Sequence, residues 1–178
     1  MLLIFLYLIM KKILRAAFVV LLMLVIKTSV TAQVKIDETN LITRLSGLNA
    51  LALADAEKYF TEHNYSLFSK QTVQQPTYSM DLYKYKIKDQ TGSYLLTVIG
   101  GQIANSGCIT YNEDEYLQAV KLITDMGYVS GESAGKTIYS KGNMSFLTQK
   151  KTAANGSIFY VMTLSDLLKV AQLAGVKK

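Results

Sequence analysis

Histidine occurs once in the 178 residues, at His63; cysteine once, at Cys108; proline once, at Pro76; tryptophan not at all. A single histidine excludes any histidine-rich metal site and leaves His63 as the one imidazole that a serine–histidine–aspartate triad could use. A single cysteine excludes an intramolecular disulfide. Its neighbourhood, IANSGCITY, reads as a strand, so Cys108 is expected to be buried as a small apolar residue. No proline-rich or charged run interrupts the chain, which argues against a linker between separate domains.

What is present begins with an address. Lys11, Lys12 and Arg15 precede the unbroken apolar run Ala16 to Ile26, and Val30-Thr31-Ala32 places small residues before Gln33. These are the three regions of a secretory signal peptide, residues 1–32. The run has about half the roughly 20 residues that a spanning helix needs. Met10 opens a conventional signal and is an alternative start to Met1. The leader takes four of the 19 basic residues and none of the 13 acids, leaving 15 against 13, a net charge of +2. The basicity is thus largely a targeting feature and not a nucleic-acid footprint. A secreted or periplasmic protein is expected, with residues 33–178 forming one globular domain large enough to bury a core.

The mature chain resembles itself at an offset of 63. Asn49 to Tyr65, NALALADAEKYFTEHNY, lies over Asn112 to Tyr128, NEDEYLQAVKLITDMGY, with identities at Asn49, Ala56, Lys58, Thr61 and Tyr65. Both read as amphipathic helices; Tyr116, Ala119, Val120, Ile123 and Met126 form the stripe of the second. Asn112 reads as an N-cap with Glu115 completing a capping box, and Asn64 and Gly127 tolerate the left-handed conformation that closes a helix. After each helix comes a strand–turn–strand pattern. Tyr83, Tyr85 and Ile87 alternate with Lys84, Lys86 and Lys88 ahead of a return strand from Ser93 to Ile99, and Asn155-Gly156 marks the second hairpin. The expectation is an α+β fold: two tandem helix-plus-antiparallel-sheet (αβββ-like) repeats, at about 41–111 and 112–178, with a C-terminal helix capped at Ser165. A short extra helix over Leu41 to Leu48 precedes them. In layout alone this is similar to the tandem helix-and-sheet repeats of the secreted β-lactamase inhibitor proteins; no motif carries the likeness, and no residue is carried over.

GESAGKT, residues 131–137, approaches the phosphate-loop pattern but is one residue short between its glycines. A helix precedes it and a strand-like segment follows, the reverse of the order that would aim backbone N–H groups at phosphates. It reads as a connection from helix to sheet, with no nucleotide and no cofactor expected. Consecutive Glu113, Asp114 and Glu115 point in different directions and suit a helix N-terminus better than a metal. His63 reads as a partly buried helix-end residue. The remaining candidate surface is basic and aromatic: Tyr83, Lys84, Tyr85, Lys86 and Lys88, with Lys150 and Lys151 on the matching strand of the second repeat. It would meet a protein, a peptide or an anionic envelope component. The bland account of the lysines is the solvent side of a sheet, discouraging edge pairing. The function expected is a non-enzymatic binding protein of the envelope or medium. The alternatives are a carboxylate-only hydrolase using Asp81 or Asp89 with Glu132, and a membrane-tethered protein with an uncut leader.

Overall fold

The computed structural model describes residues 36–87 and 92–175. The leader, the cut before Gln33, both starts, Lys88 and Asp89 fall outside them. Four helices and eight strands follow one another: α1 (Leu41–Ala50), α2 (Leu53–Glu62), β1 (Tyr65–Gln74), β2 (Ser79–Ile87), β3 (Ser93–Ile99), β4 (Gln102–Thr110), α3 (Glu113–Asp125), β5 (Val129–Ser133), β6 (Lys136–Lys141), β7 (Met144–Thr152), β8 (Ile158–Asp166) and α4 (Leu167–Leu173). The strands make one sheet in the order β1-β2-β3-β4-β8-β7-β6-β5, antiparallel throughout. This is a mixed α+β protein dominated by sheet.

Each helix forms for a local reason and is held by one face. Asn40 caps α1: its carboxamide accepts from the Thr43 N–H at 3.0 Å, and the Thr43 hydroxyl answers the Asn40 N–H. Leu41, Leu45 and Leu48, spaced four and three apart, then bury against the sheet. The centre of the sheet is locked to that helix by Ser106, whose hydroxyl donates to the Leu45 carbonyl at 2.7 Å. Ala56 and Phe60 are the buried face of α2, and Ala119 and Ile123 that of α3. Asn64 (φ 61°) and Gly127 (φ 80°) take the expected left-handed positions after α2 and α3.

Several expectations need correction. Each four-stranded run contains more sheet than anticipated, because Tyr65–Gln74 and Val129–Ser133 are the two edge strands, the second taking in the start of GESAGKT. GESAGKT is a hairpin: Ser133 pairs with Lys136 across a two-residue turn, with Ala134 (φ 49°) and Gly135 (φ 71°) both left-handed. Asn49 belongs to the end of α1 rather than to the start of the next helix. Ser165 pairs within β8, and Asp166 caps α4 by accepting from the Leu168 and Lys169 N–H groups. The capping box of α3 is half built. Asn112 accepts from the Glu115 N–H at 3.1 Å, but the Glu115 carboxylate turns to Arg44 and Thr110, and the Asn112 N–H donates to the Thr110 hydroxyl. His63 is exposed, not half-buried: its Nε2 lies 2.8 Å from the Glu38 carboxylate and its Nδ1 2.8 Å from the Tyr59 carbonyl.

Candidate functional site

Alternation in a strand sends neighbours to opposite faces, and register then sorts every residue of the sheet to a side. Tyr83 pairs with Leu96, Leu96 with Ser106, Ser106 with Leu164 and Leu164 with Phe146. All five are buried, as are Tyr85, Tyr94, Cys108 and Met162 in the same rows. Every strand residue of the core cluster projects to this side, where the helices lie. The opposite side, the open face, has no described element packed on it.

That geometry separates residues that looked like a single surface. Tyr83 and Tyr85 are 7% and 4% exposed and face the helices, so they offer nothing to a partner. Lys84 and Lys86 lie on the open face, Lys84 opposite Leu95 and Lys86 opposite Ser66. Lys150 and Lys151, being adjacent, part company. Lys150 sits on the helix side, 3.7 Å from the Glu113 carboxylate, while Lys151 is on the open face opposite Phe159. Lys136 joins the open face from β6, a residue the sequence reading did not single out. The centre of the open face holds a shallow depression of about 260 Å³, lined by Leu82, Lys84, Leu95, Thr97, Gly107 and Thr163 among others. Asn105 borders it, and its side-chain Oδ1 is shielded and has no hydrogen-bond partner among the described residues.

A second cleft, of about 280 Å³, opens at the far end of β3 and β4, beneath the N-termini of α1 and α3. Arg44 and Glu115 close its floor as an ion pair, and Thr110 donates to the second Glu115 oxygen at 2.9 Å. Burial opposes the charge on Arg44, but the Tyr94 and Glu115 partners outweigh it and hold the guanidinium above its ordinary range. Burial likewise raises the Tyr65 and Tyr94 phenols, and pushes the Cys108 thiol from 9.0 up to about 12. A thiol so raised stays protonated and is a poor nucleophile. The cleft is better described as a structural seam tying α1 to α3 than as a reactive centre. Replacing Arg44 by Ala should leave the half-buried Glu115 carboxylate without its cation and cost about 1–3 kcal/mol, less than for a fully buried pair. Removing both charges should cost less than the two single losses together, by urea denaturation; additive losses would mean that the pair does not couple the helices.

The Cys108 shift makes an alkaline prediction. A group whose pKa is higher folded than unfolded binds more protons in the folded state between the two values, so stability falls as pH rises through that window. Stability should hold below about pH 9 and decline toward pH 12, with Tyr94 adding to the fall above its ordinary value of 10.0. Cys108→Ala should flatten the part of the decline that begins near pH 9. Native protein at neutral pH should resist aromatic disulfide reagents until it is unfolded in urea; fast labelling of the native state would contradict the burial.

Of the carboxylates proposed for hydrolysis, Asp81 and Glu132 are not brought together, and Asp89 lies outside the described residues. Asp81 is on β2 and Glu132 on β5, with five strands between them. Asp81 is moreover held below the usual carboxylate range by the Thr72 hydroxyl and the Lys70 ammonium, the wrong direction for a general acid. Among the described residues no cluster of histidine, cysteine and carboxylates could hold a metal ion, and no helix is long and apolar enough to cross a membrane. Fold and surface together define an α+β protein in which, among the described residues, one side of the sheet is covered and the other bare. Comparison with protein-family models, curated proteins and solved structures found no match.

Proposed function

We propose that this is an exported, non-enzymatic binding protein of the cell envelope or the surrounding medium, and that the open face of its sheet receives the partner. The observation that carries the reading is the one-sided cover. Eight strands expose a continuous surface on which Leu82, Leu95, Ile109, Leu147 and Val161 are only half-buried, a composition unlike the polar face of a solvated antiparallel sheet. We also read the chain as two helix-plus-sheet units. The strand order runs symmetrically outward from the β4–β8 pair, a helix precedes each run of four strands, and the matched positions Asn64 and Gly127 both end helices. Export rests on the leader: expressed in a secreting host, the chain should be recovered with Gln33 at its N-terminus, and an intact leader on the exported protein would overturn that part. For binding, wild-type protein on a resin should retain a saturable component of envelope extract that a folded Thr97→Trp variant, with a bulky uncharged ring in the middle of the open face, does not. Equal retention by both would remove the sheet face from the proposal.

A further inference from the structure

Charge on the two sides of the sheet is segregated. Among the described residues the open face carries Lys84, Lys86, Lys136 and Lys151 and no carboxylate, a charge of +4. The helices, their flanking turns and the helix-facing strand positions carry all twelve described carboxylates against seven cations, a charge of −5. Folding does not require this. Nor does edge protection, the usual reason for lysine in a sheet, account for Lys84 and Lys86: they lie on β2, between β1 and β3. Lys84 and Lys86 join no ion pair among the described residues. Their ammonium groups lie 5.5 and 4.2 Å from the ring centroid of Phe68, which a bulge between Leu67 and Ser69 turns onto this face. Burial and the neighbouring Lys86 both push the Lys84 ammonium below its ordinary value. Two uncompensated cations beside a half-buried apolar floor form a surface that a carboxylate from outside would relieve.

Resting on the binding reading above, we propose that the occupant of the open face is an acidic polypeptide surface, its carboxylates set against Lys84 and Lys86 and an apolar side chain seated in the depression over Leu95, Thr97 and Gly107. Polypeptide is favoured over an anionic bilayer because Leu82, Leu95, Ile109, Leu147 and Val161 are half-buried and leave little apolar area to insert among acyl chains, while the large apolar side chains that stand out on this face, Phe68 at 63% and Val129 at 75%, lie on the two edge strands. The opposite signs of the two faces also orient the encounter, since an acidic partner is repelled from the helix side.

The test is a two-dimensional NMR titration of the mature chain with a short peptide of alternating glutamate and leucine, with phosphatidylglycerol vesicles as a second probe. The expected result is shift changes at Lys84, Leu95, Asn105 and Thr163, and binding weakened about tenfold or more in Lys84→Glu/Lys86→Glu, as expected for charge reversal at a docking patch. Both lysines are solvent-facing, so that variant should keep its melting temperature, and Lys121→Glu on α3 should bind as wild type does. Shifts confined to the helices or to the backbone of edge strand β1 would overturn the proposal. So would unchanged affinity in the double variant, or tighter face-dependent binding to the vesicles than to the peptide. If Thr97→Trp abolishes retention of the extract component while Lys84→Glu/Lys86→Glu does not, the acidic partner falls and the sheet-face reading stands. If neither substitution matters, both fall.

Discussion

Phe60→Ala is expected to destabilise the protein by about 3–5 kcal/mol, the range for emptying a buried aromatic site. Phe60 is 0% exposed and is the only large side chain that α2 buries; its companion Ala56 contributes a methyl group. The ring stacks on Tyr85 at 4.1 Å between centroids, meets Tyr65 edge-on at 5.6 Å and tilts against Tyr94 at 5.7 Å. Aromatic pairs of this kind add about 0.5–1.5 kcal/mol beyond burial. The cavity cannot easily collapse, because its walls are rings already fixed to β2 and β3. Urea denaturation followed by tyrosine fluorescence should show a lower midpoint. Hydrogen exchange should show the amides of α2 opening before those of α3, since α2 has no side-chain cap to hold it once the ring is gone. A loss below about 1 kcal/mol would mean that α2 is not seated on the sheet through this residue.

How much of this was readable beforehand depended on whether a segment's own residues carried the signal. Strand β3, Ser93–Ile99, matches the expected bounds because it is a nearly unbroken apolar run with five of its seven residues buried. Helix α3 announces itself through Asn112, the acidic first turn and the Ala119–Ile123 stripe. Edge strands β1 and β5 do not. Nearly all of β1 and all of β5 is exposed, so neither face is under apolar pressure and no alternation is written into them. Their pairing is imposed by β2 and β6 through backbone hydrogen bonds, which leave no trace in side-chain choice. The open face was half readable for a related reason. Period two shows that Lys84 and Lys86 share a side and that Tyr83 and Tyr85 share the other, but not which side the helices take. Only the register across β4 and β8 adds Lys136 and Lys151 to the first group and excludes Lys150. The Arg44–Glu115 pair joins residues 71 positions apart and has no local signature at all.

Gly107→Val should come close to Phe60→Ala in effect, and for the opposite reason. Gly107 sits on β4 opposite Leu95 and Thr163, in the strand pair that joins the two halves of the sheet. Its φ is not left-handed, so the glycine is there for space and not for conformation. A Cβ at this position would lie 2.8 Å from the Met162 carbonyl oxygen and 3.0 Å from the Thr163 hydroxyl. The first is backbone and cannot swing away; relief requires β4 and β8 to separate, which strains the ladder from Asn105–Ser165 to Thr110–Tyr160. Overpacking of this kind costs about 1–3 kcal/mol for a methylene or two, and a β-branched group pressed against a central strand belongs at the top of that range. Gly107→Ala should show a smaller loss of the same sign. Because the added side chain points into the depression of the open face, the valine variant should also bind the glutamate–leucine peptide more weakly at temperatures where it is still fully folded. Wild-type affinity in a folded Gly107→Val protein would place the peptide elsewhere on the molecule, and wild-type stability would mean that β4 and β8 are not in the register that brings Gly107 against Thr163.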